Sequence, residues 1–139
     1  MSAAERFTLS KEERICSKKL INELFTGNGR SMTAFPLRVV FMKRTIVNDQ
    51  PRAAMLVSVP KRQFKRAVKR SRVKRQVREA YRKHKHGLIE AVSRIGERHL
   101  SLAFVWLDSK LYDTSVVEKK VEKLLLRIEE KLTQEKTAG

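Results

Sequence analysis

The stretch Ala67-Val-Lys-Arg-Ser-Arg-Val-Lys-Arg-Gln-Val-Arg-Glu-Ala-Tyr-Arg82 decides how this chain is read. At about 100° per residue, Val73, Val77, Ala80 and Tyr81 fall within an arc of about 100°, with Ala67 just beyond it. Lys65, Lys69, Arg72, Arg75, Arg78, Arg82 and Lys83 cover the opposite side. A helix of this pattern buries one face against a core and presents a cationic face outward. Arg70 and Lys74 break the pattern, projecting near the apolar arc at the helix start, where they can reach past a sheet edge towards a ligand.

The charge is local. Residues 61–85 hold thirteen cations and one anion, Glu79, which is +12 of the chain's formal +17. The other 114 residues carry only +5. A solvated helix face usually mixes signs, whereas a thirteen-to-one segment repels itself unless a polyanion relieves it. Phosphates fit: six to ten contacts shift affinity by roughly 10³ to 10⁵ over a modest salt range through counterion release. Arginine supplies bidentate forks for them and lysine a point charge. Composition alone does not choose between DNA and RNA, since no recognition-helix pair, zinc ligand set or heptad basic region is evident.

Around this segment the sequence lays out a small α+β fold. Ser10-Lys-Glu-Glu13 has the form of a capping box, and Leu20, Ile21, Leu24 and Phe25 line one helical face. A helix is therefore expected within residues 11–26, ended by Gly27. Leu37-Arg-Val-Val-Phe-Met42 alternates as a strand with Leu37, Val39 and Phe41 on a core face and Arg38, Val40 and Met42 on a mixed one. Val47 to Pro51 reads as a turn, and Ala53 to Val59 as a strand apolar on both faces. These two strands are expected to pair as an antiparallel hairpin. Ser101 to Leu107 is a third strand, with Trp106 in the core. Val117, Val121, Leu124, Ile128 and Leu132 mark a closing helix capped by Asp113 or Thr114. The 139 residues form one domain of helices on a small sheet, large enough for a single core, with 1–9 and 134–139 expected as flexible ends.

Other chemistry is weakly supported. The longest apolar run, Leu100 to Leu107, is far short of the roughly 20 residues of a membrane span. The N-terminal Met-Ser-Ala-Ala-Glu-Arg lacks the apolar centre of a signal peptide, and with one cysteine, Cys16, a reducing cytoplasmic setting is expected. His84 and His86 diverge by about 200° on a helix and do not converge on one ion; both are expected to be exposed near a helix C-terminus. Asp49, Asp108 and Asp113 are widely separated, whereas two-metal phosphodiester chemistry needs clustered carboxylates. No catalytic residue and no metal site is assigned to the chain.

Met55-Leu-Val-Ser-Val-Pro-Lys-Arg62 followed by the helix from Ala67 to Arg82 resembles the bacterial ribonuclease P protein subunit family. There a strand ends in a Ser-Val-Ser-Lys-Lys type sequence, and a helix follows with an Arg-Asn-Arg centre, then Lys-Arg and Arg-Glu-Ala-Phe-Arg. The resemblance implies an αβββαβα sandwich with a left-handed βαβ crossover and an extra short strand around Arg30 to Ala34. It implies a protein cofactor that binds a catalytic RNA and precursor tRNA and assists removal of the 5′ leader. Mg²⁺ would be held mainly by the RNA, with no membrane and no obligate protein partner. By position, Lys61, Arg62, Arg70, Ser71, Arg72, Lys74, Arg75 and Arg78 match the family's RNA-facing residues, and Ile21, Phe25, Arg38 and Val40 its leader cleft. Ser71 stands in place of the central asparagine. The loop before Ala67 is one residue longer and carries Phe64 where glycine is common. Ile21 and Val40 replace frequent aromatics, and Asp108 stands where an arginine is frequent. The alternative is a structural RNA- or DNA-binding protein of ribosomal or nucleoid type.

Overall fold

The computed structural model describes residues 29–45, 52–96 and 98–138. In chain order these form β1 (Arg30–Ala34), β2 (Leu37–Thr45), β3 (Ala53–Ser58), α1 (Ala67–Arg94), β4 (Arg98–Trp106) and α2 (Thr114–Ala138). The helix expected within residues 11–26, Cys16 and the turn at Val47 to Pro51 lie outside the described residues. Among the described residues no helix is long and apolar enough to cross a membrane.

The expected hairpin does not form. The sheet order is β1-β2-β4-β3, so β4 lies between β2 and β3. It pairs antiparallel with β2, from Leu37 opposite Trp106 to Thr45 opposite Arg98, and parallel with β3, from Ala53 opposite Leu100 to Ser58 opposite Val105. The physical reason is burial. Ser101, Leu102, Ala103 and Phe104 have no exposed surface, and a strand apolar on both faces gains most between two neighbours. Two such strands side by side are the usual signature of a parallel pair, whose crossover helix covers one face. β1 pairs antiparallel with β2, closing the other edge.

One face of the sheet carries Leu37, Val39, Phe41, Met55, Val57, Leu100, Leu102, Phe104 and Trp106 into the main core. Val73, Val77, Tyr81 and Leu88 of α1 meet them, as the 3.6-residue period requires, and α2 adds Val117, Val121, Leu124, Leu125, Ile128 and Leu132. Tyr81 stands edge-on to Phe104 with ring centroids 6.2 Å apart, and Trp106 edge-on to Tyr112 at 5.6 Å. The opposite face holds a small second cluster of Val40, Ala54 and Ala103, with Met42 and Leu56 beside it. The alternation expected for Leu37 to Met42 is thus the observed one.

The helices run further than the sequence pattern marked. α1 continues to Arg94 and ends through Gly96, whose φ of 95° is the left-handed conformation that favours glycine. Arg52 Nη1 donates to the Gly96 carbonyl at 2.8 Å, tying that end to the start of β3. His84 and His86 are therefore mid-helix and half-buried, not exposed near a terminus. His84 bridges the two helices, with Nε2 3.0 Å from Glu118 and Nδ1 3.2 Å from Glu122.

α1 and α2 approach closely at Gly87, where an added Cβ would lie 2.5 Å from Glu129 Oε1. Burial pushes the Glu129 carboxyl above the ordinary range, and Glu90 and Glu130 add like charge. A carboxyl whose folded pKa is raised favours the neutral form, so its contribution is lost as pH rises through that pKa. Glu129→Gln keeps the shape and removes the charge. It is expected to raise Tm by roughly 1–3 °C at pH 7 and to change it little near pH 4, checked by thermal melts at both.

Candidate nucleic-acid interface

β3 leads into the interface through a turn in which Gln63 N–H donates to the Pro60 carbonyl at 3.0 Å. Phe64 then drops into the core at 5% exposure, so the loop is anchored from beneath. Lys61, Arg62, Lys65 and Arg66 on either side of it are exposed. α1 starts with Arg66 as an extended N-cap residue, no side-chain cap and no acidic residue in its first turn. The positive end of a helix and four exposed cations thus share one place, a setting that favours an anion.

Along α1, Lys69, Ser71, Arg72, Arg75 and Lys83 are exposed, and Lys74, Arg78 and Arg82 are half-buried at the edges of the face. Among the described residues no carboxylate lies within ion-pair reach of Lys61, Arg62, Lys65, Arg66, Lys69, Arg72, Lys74, Arg75 or Arg78. Three of the thirteen cations are engaged inside the protein. Arg82 pairs with Glu79, whose carboxylate that hydrogen bond holds below its ordinary range. Lys85 is buried along the apolar stripe. Arg70 Nη1 donates to the Phe64 and Lys65 carbonyls at 2.7 and 2.9 Å.

The loop after β4 fastens the same end of the sheet. Ser109 Oγ donates to Gln63 Oε1 at 2.8 Å, and its N–H to Asp108 Oδ1 at 2.7 Å. Tyr112 donates its hydroxyl proton to Asp108 Oδ2 at 2.5 Å, which lowers the Asp108 pKa and raises that of Tyr112. Gln76, buried on α1, donates to the Tyr112 carbonyl at 3.0 Å and to Thr114 Oγ1 at 3.1 Å. The Asp108 carboxylate therefore serves as a local brace beside the cationic surface.

Of the residues expected to face RNA, Lys61, Arg62, Ser71, Arg72, Lys74, Arg75 and Arg78 lie on the loop and one side of α1; Arg70 is turned back on the loop. Lys65, Arg66 and Lys69 belong to the same surface but were absent from the motif-based set. The signal for them was the charge count across residues 61–85. On the far face of the sheet Arg38 is exposed and Val40 is buried at 4%. Across β1 they face Thr33 and Ser31. Ile21 and Phe25 lie outside the described residues. Among the described residues no three His, Cys, Asp or Glu side chains come together to hold a metal ion.

A mixed sheet under a helix with one apolar and one nearly all-cationic face defines a nucleic-acid-binding α+β protein. The comparisons narrow the class. The ribonuclease P family model matches residues 9–129. The ribonuclease P protein component of Porphyromonas gingivalis is 43% identical over 131 residues, covering 92% of this chain and 91% of that one. That of Chlorobaculum tepidum is 34% identical over 103 residues, covering 70% and 66%. The ribonuclease P protein from Thermotoga maritima superposes with a TM-score of 0.64 at 22% identity, covering 83% of this chain and 96% of that one. A Staphylococcus aureus ribonuclease P protein mutant described as defective in mRNA degradation gives 0.59 at 18%, covering 85% and 88%. The chain belongs to the bacterial ribonuclease P protein component family. It is a protein cofactor in tRNA 5′ processing, a subunit of an RNA-processing endoribonuclease that works with an RNA subunit.

Arg72→Ala and Arg75→Ala each remove one exposed cation from this face. Each is expected to lower the magnitude of the slope of log K against log salt by about 0.7–0.9 and to weaken RNA binding at moderate salt. Filter binding across a salt series measures it; slopes unchanged in both variants would remove α1 from the interface.

Proposed function

We propose that the loop at 61–66 and the cationic face of α1 lie on the catalytic RNA, while the far face of the sheet receives the 5′ leader of precursor tRNA. The observation that carries this reading is the row of outward cations that have no carboxylate partner among the described residues. Such a surface is stable as a partner for phosphates and costly as a bare face. Lys61, Arg62, Ser71, Arg72, Lys74, Arg75 and Arg78 are its contacts, with Lys65, Arg66 and Lys69 added by their exposure on the same surface.

On the far face, Arg38 supplies a cation beside the apolar Val40, Met42 and Leu56. That pairing suits a single strand, whose phosphates meet the charge and whose bases meet apolar surface. Val40, buried with Ala54 and Ala103, forms the floor beneath that surface, and Ile21 and Phe25 complete the cleft in this reading. The chain's part in cleavage is to bind and orient, in the cytoplasm. In this proposal both the cleavage centre and the Mg²⁺ belong to the RNA.

Reconstitution tests it. The purified chain alone is expected to leave precursor tRNA uncut. Added to a cognate ribonuclease P RNA, it is expected to lower the Mg²⁺ needed for cleavage. It is also expected to favour precursor over mature tRNA by about tenfold or more, which is about 1.4 kcal/mol. Equal affinity for precursor, mature tRNA and unrelated duplexes, with cleavage unchanged at near-physiological Mg²⁺, would favour the ribosomal or nucleoid type instead.

A further inference from the structure

We propose that Arg70 is a positioning residue, whose guanidinium holds the 61–66 loop in the shape that aims its four cations at RNA phosphates. The inference rests on the RNA-binding reading above and gives one member of the arginine-rich centre a different task from its neighbours.

The geometry is specific. Nη1 carries two hydrogens, and the carbonyls of Phe64 and Lys65 lie 2.7 and 2.9 Å from it. A single nitrogen therefore clasps two consecutive peptide groups of the loop. Arg70 sits in the first turn of α1, where the helix dipole disfavours a cation, and in sequence it follows five other cations, Lys61, Arg62, Lys65, Arg66 and Lys69. Two carbonyl oxygens are the compensation available to a charge in that place. Arg72, two residues on, is exposed, and among the described residues no side chain or carbonyl engages it.

The clasp completes a set of three restraints. Phe64 anchors the middle of the loop in the core, and Gln63 is fixed from outside by Ser109 Oγ at 2.8 Å. Arg70 supplies the third by fixing the backbone immediately after the anchor. With the backbone at residues 63, 64 and 65 held, the exposed side chains of Lys61 and Arg62 before it, Lys65 within it and Arg66 after it are presented to solvent. Pre-ordering a loop removes part of the entropy cost of binding.

A direct phosphate contact and a positioning role part company in the lysine variant. Lysine keeps the charge, but its ammonium ends one bond short of the place the arginine Nη1 takes between the two carbonyls, so the clasp is lost while a mobile phosphate can still meet the charge. In the free full-length protein, Arg70→Ala and Arg70→Lys are both expected to speed amide hydrogen exchange at residues 62–66 by about tenfold or more. Arg72→Ala is expected to leave that exchange unchanged. In filter binding to the cognate ribonuclease P RNA, Arg70→Lys is expected to restore little of the affinity that Arg70→Ala loses. Arg70→Ala combined with Arg66→Ala should lose less than the product of the single losses, because the loop cation is already misplaced. Restoration of binding by Arg70→Lys overturns the proposal, and so does unchanged loop exchange in the lysine variant. Arg70→Lys keeps the charge and the aliphatic stem and decides the matter by itself if Arg70→Ala fails to fold. If the wild-type chain binds no such RNA, the functional reading falls, and the exchange comparison still judges the clasp.

Discussion

Burial of the apolar stripe of α1 is the constraint on which the rest of the structure depends. Two unit charges 10 Å apart in water repel by about 0.4 kcal/mol before screening, and neighbours on a helix by somewhat more. Several such terms oppose the folding of a helix as cationic as this one. Against them stand Val73, Val77, Tyr81, Leu88 and Val92, each fully buried, and a large apolar side chain contributes about 1.5–3 kcal/mol on burial. The stripe wins with margin, which is how a helix that would repel itself in isolation can be held rigid with its charges outward. Gly87 and His84 on the same helix let α2 close over it, so the second helix supports the first.

The order of strands then fixes where the charge is presented. Because β3 and β4 are parallel and α1 crosses between them, the start of α1 lies at the end of the sheet where both strands finish. The segment after β4 emerges at that end too, as the Gln63–Ser109 hydrogen bond shows. Leu107 N–H reaches the Pro36 carbonyl at 2.8 Å, which brings the β1–β2 turn into the same region. Had β2 and β3 paired as a hairpin, β4 could not have lain between them, with β2 antiparallel on one side and β3 parallel on the other. The site is thus a consequence of topology as much as of composition.

Much of this was legible in the sequence, for reasons that also explain the failures. The faces of β2 and α1 were readable because a period of 2 or 3.6 states which side chains share a surface, and burial follows the pattern residue by residue. Strand pairing was not readable in that way. The two-sided apolar character of residues 53–59 and 101–107 carries the information that both are interior strands, but adjacency in sequence outweighed it. The short strand at Arg30 to Ala34 has no pattern of its own, being exposed over most of its length, and only the family resemblance placed it. The end of α1 ran on because His84 and Lys85 are polar residues at interhelical or interior positions, where a hydrophobic count sees a break.

The candidate site shows a sharper limit. Charge counting identified the surface and, through exposure, three cations that motif matching left out. It could not distinguish Arg70 from Arg72, since both are arginines two residues apart in one motif. What separates them is a backbone acceptor, and carbonyl groups have no letter in the sequence. The helical position was the available hint: Arg70 projects towards the apolar arc, where a guanidinium must find acceptors within the protein or avoid the place altogether. The same logic covers Asp108, a carboxylate beside a cationic surface, which Tyr112 and the Ser109 amide hold in a bracing role. A charged residue pointing out of register with its helix face is therefore better read first as a search for backbone partners, and as a ligand contact only when none is within reach.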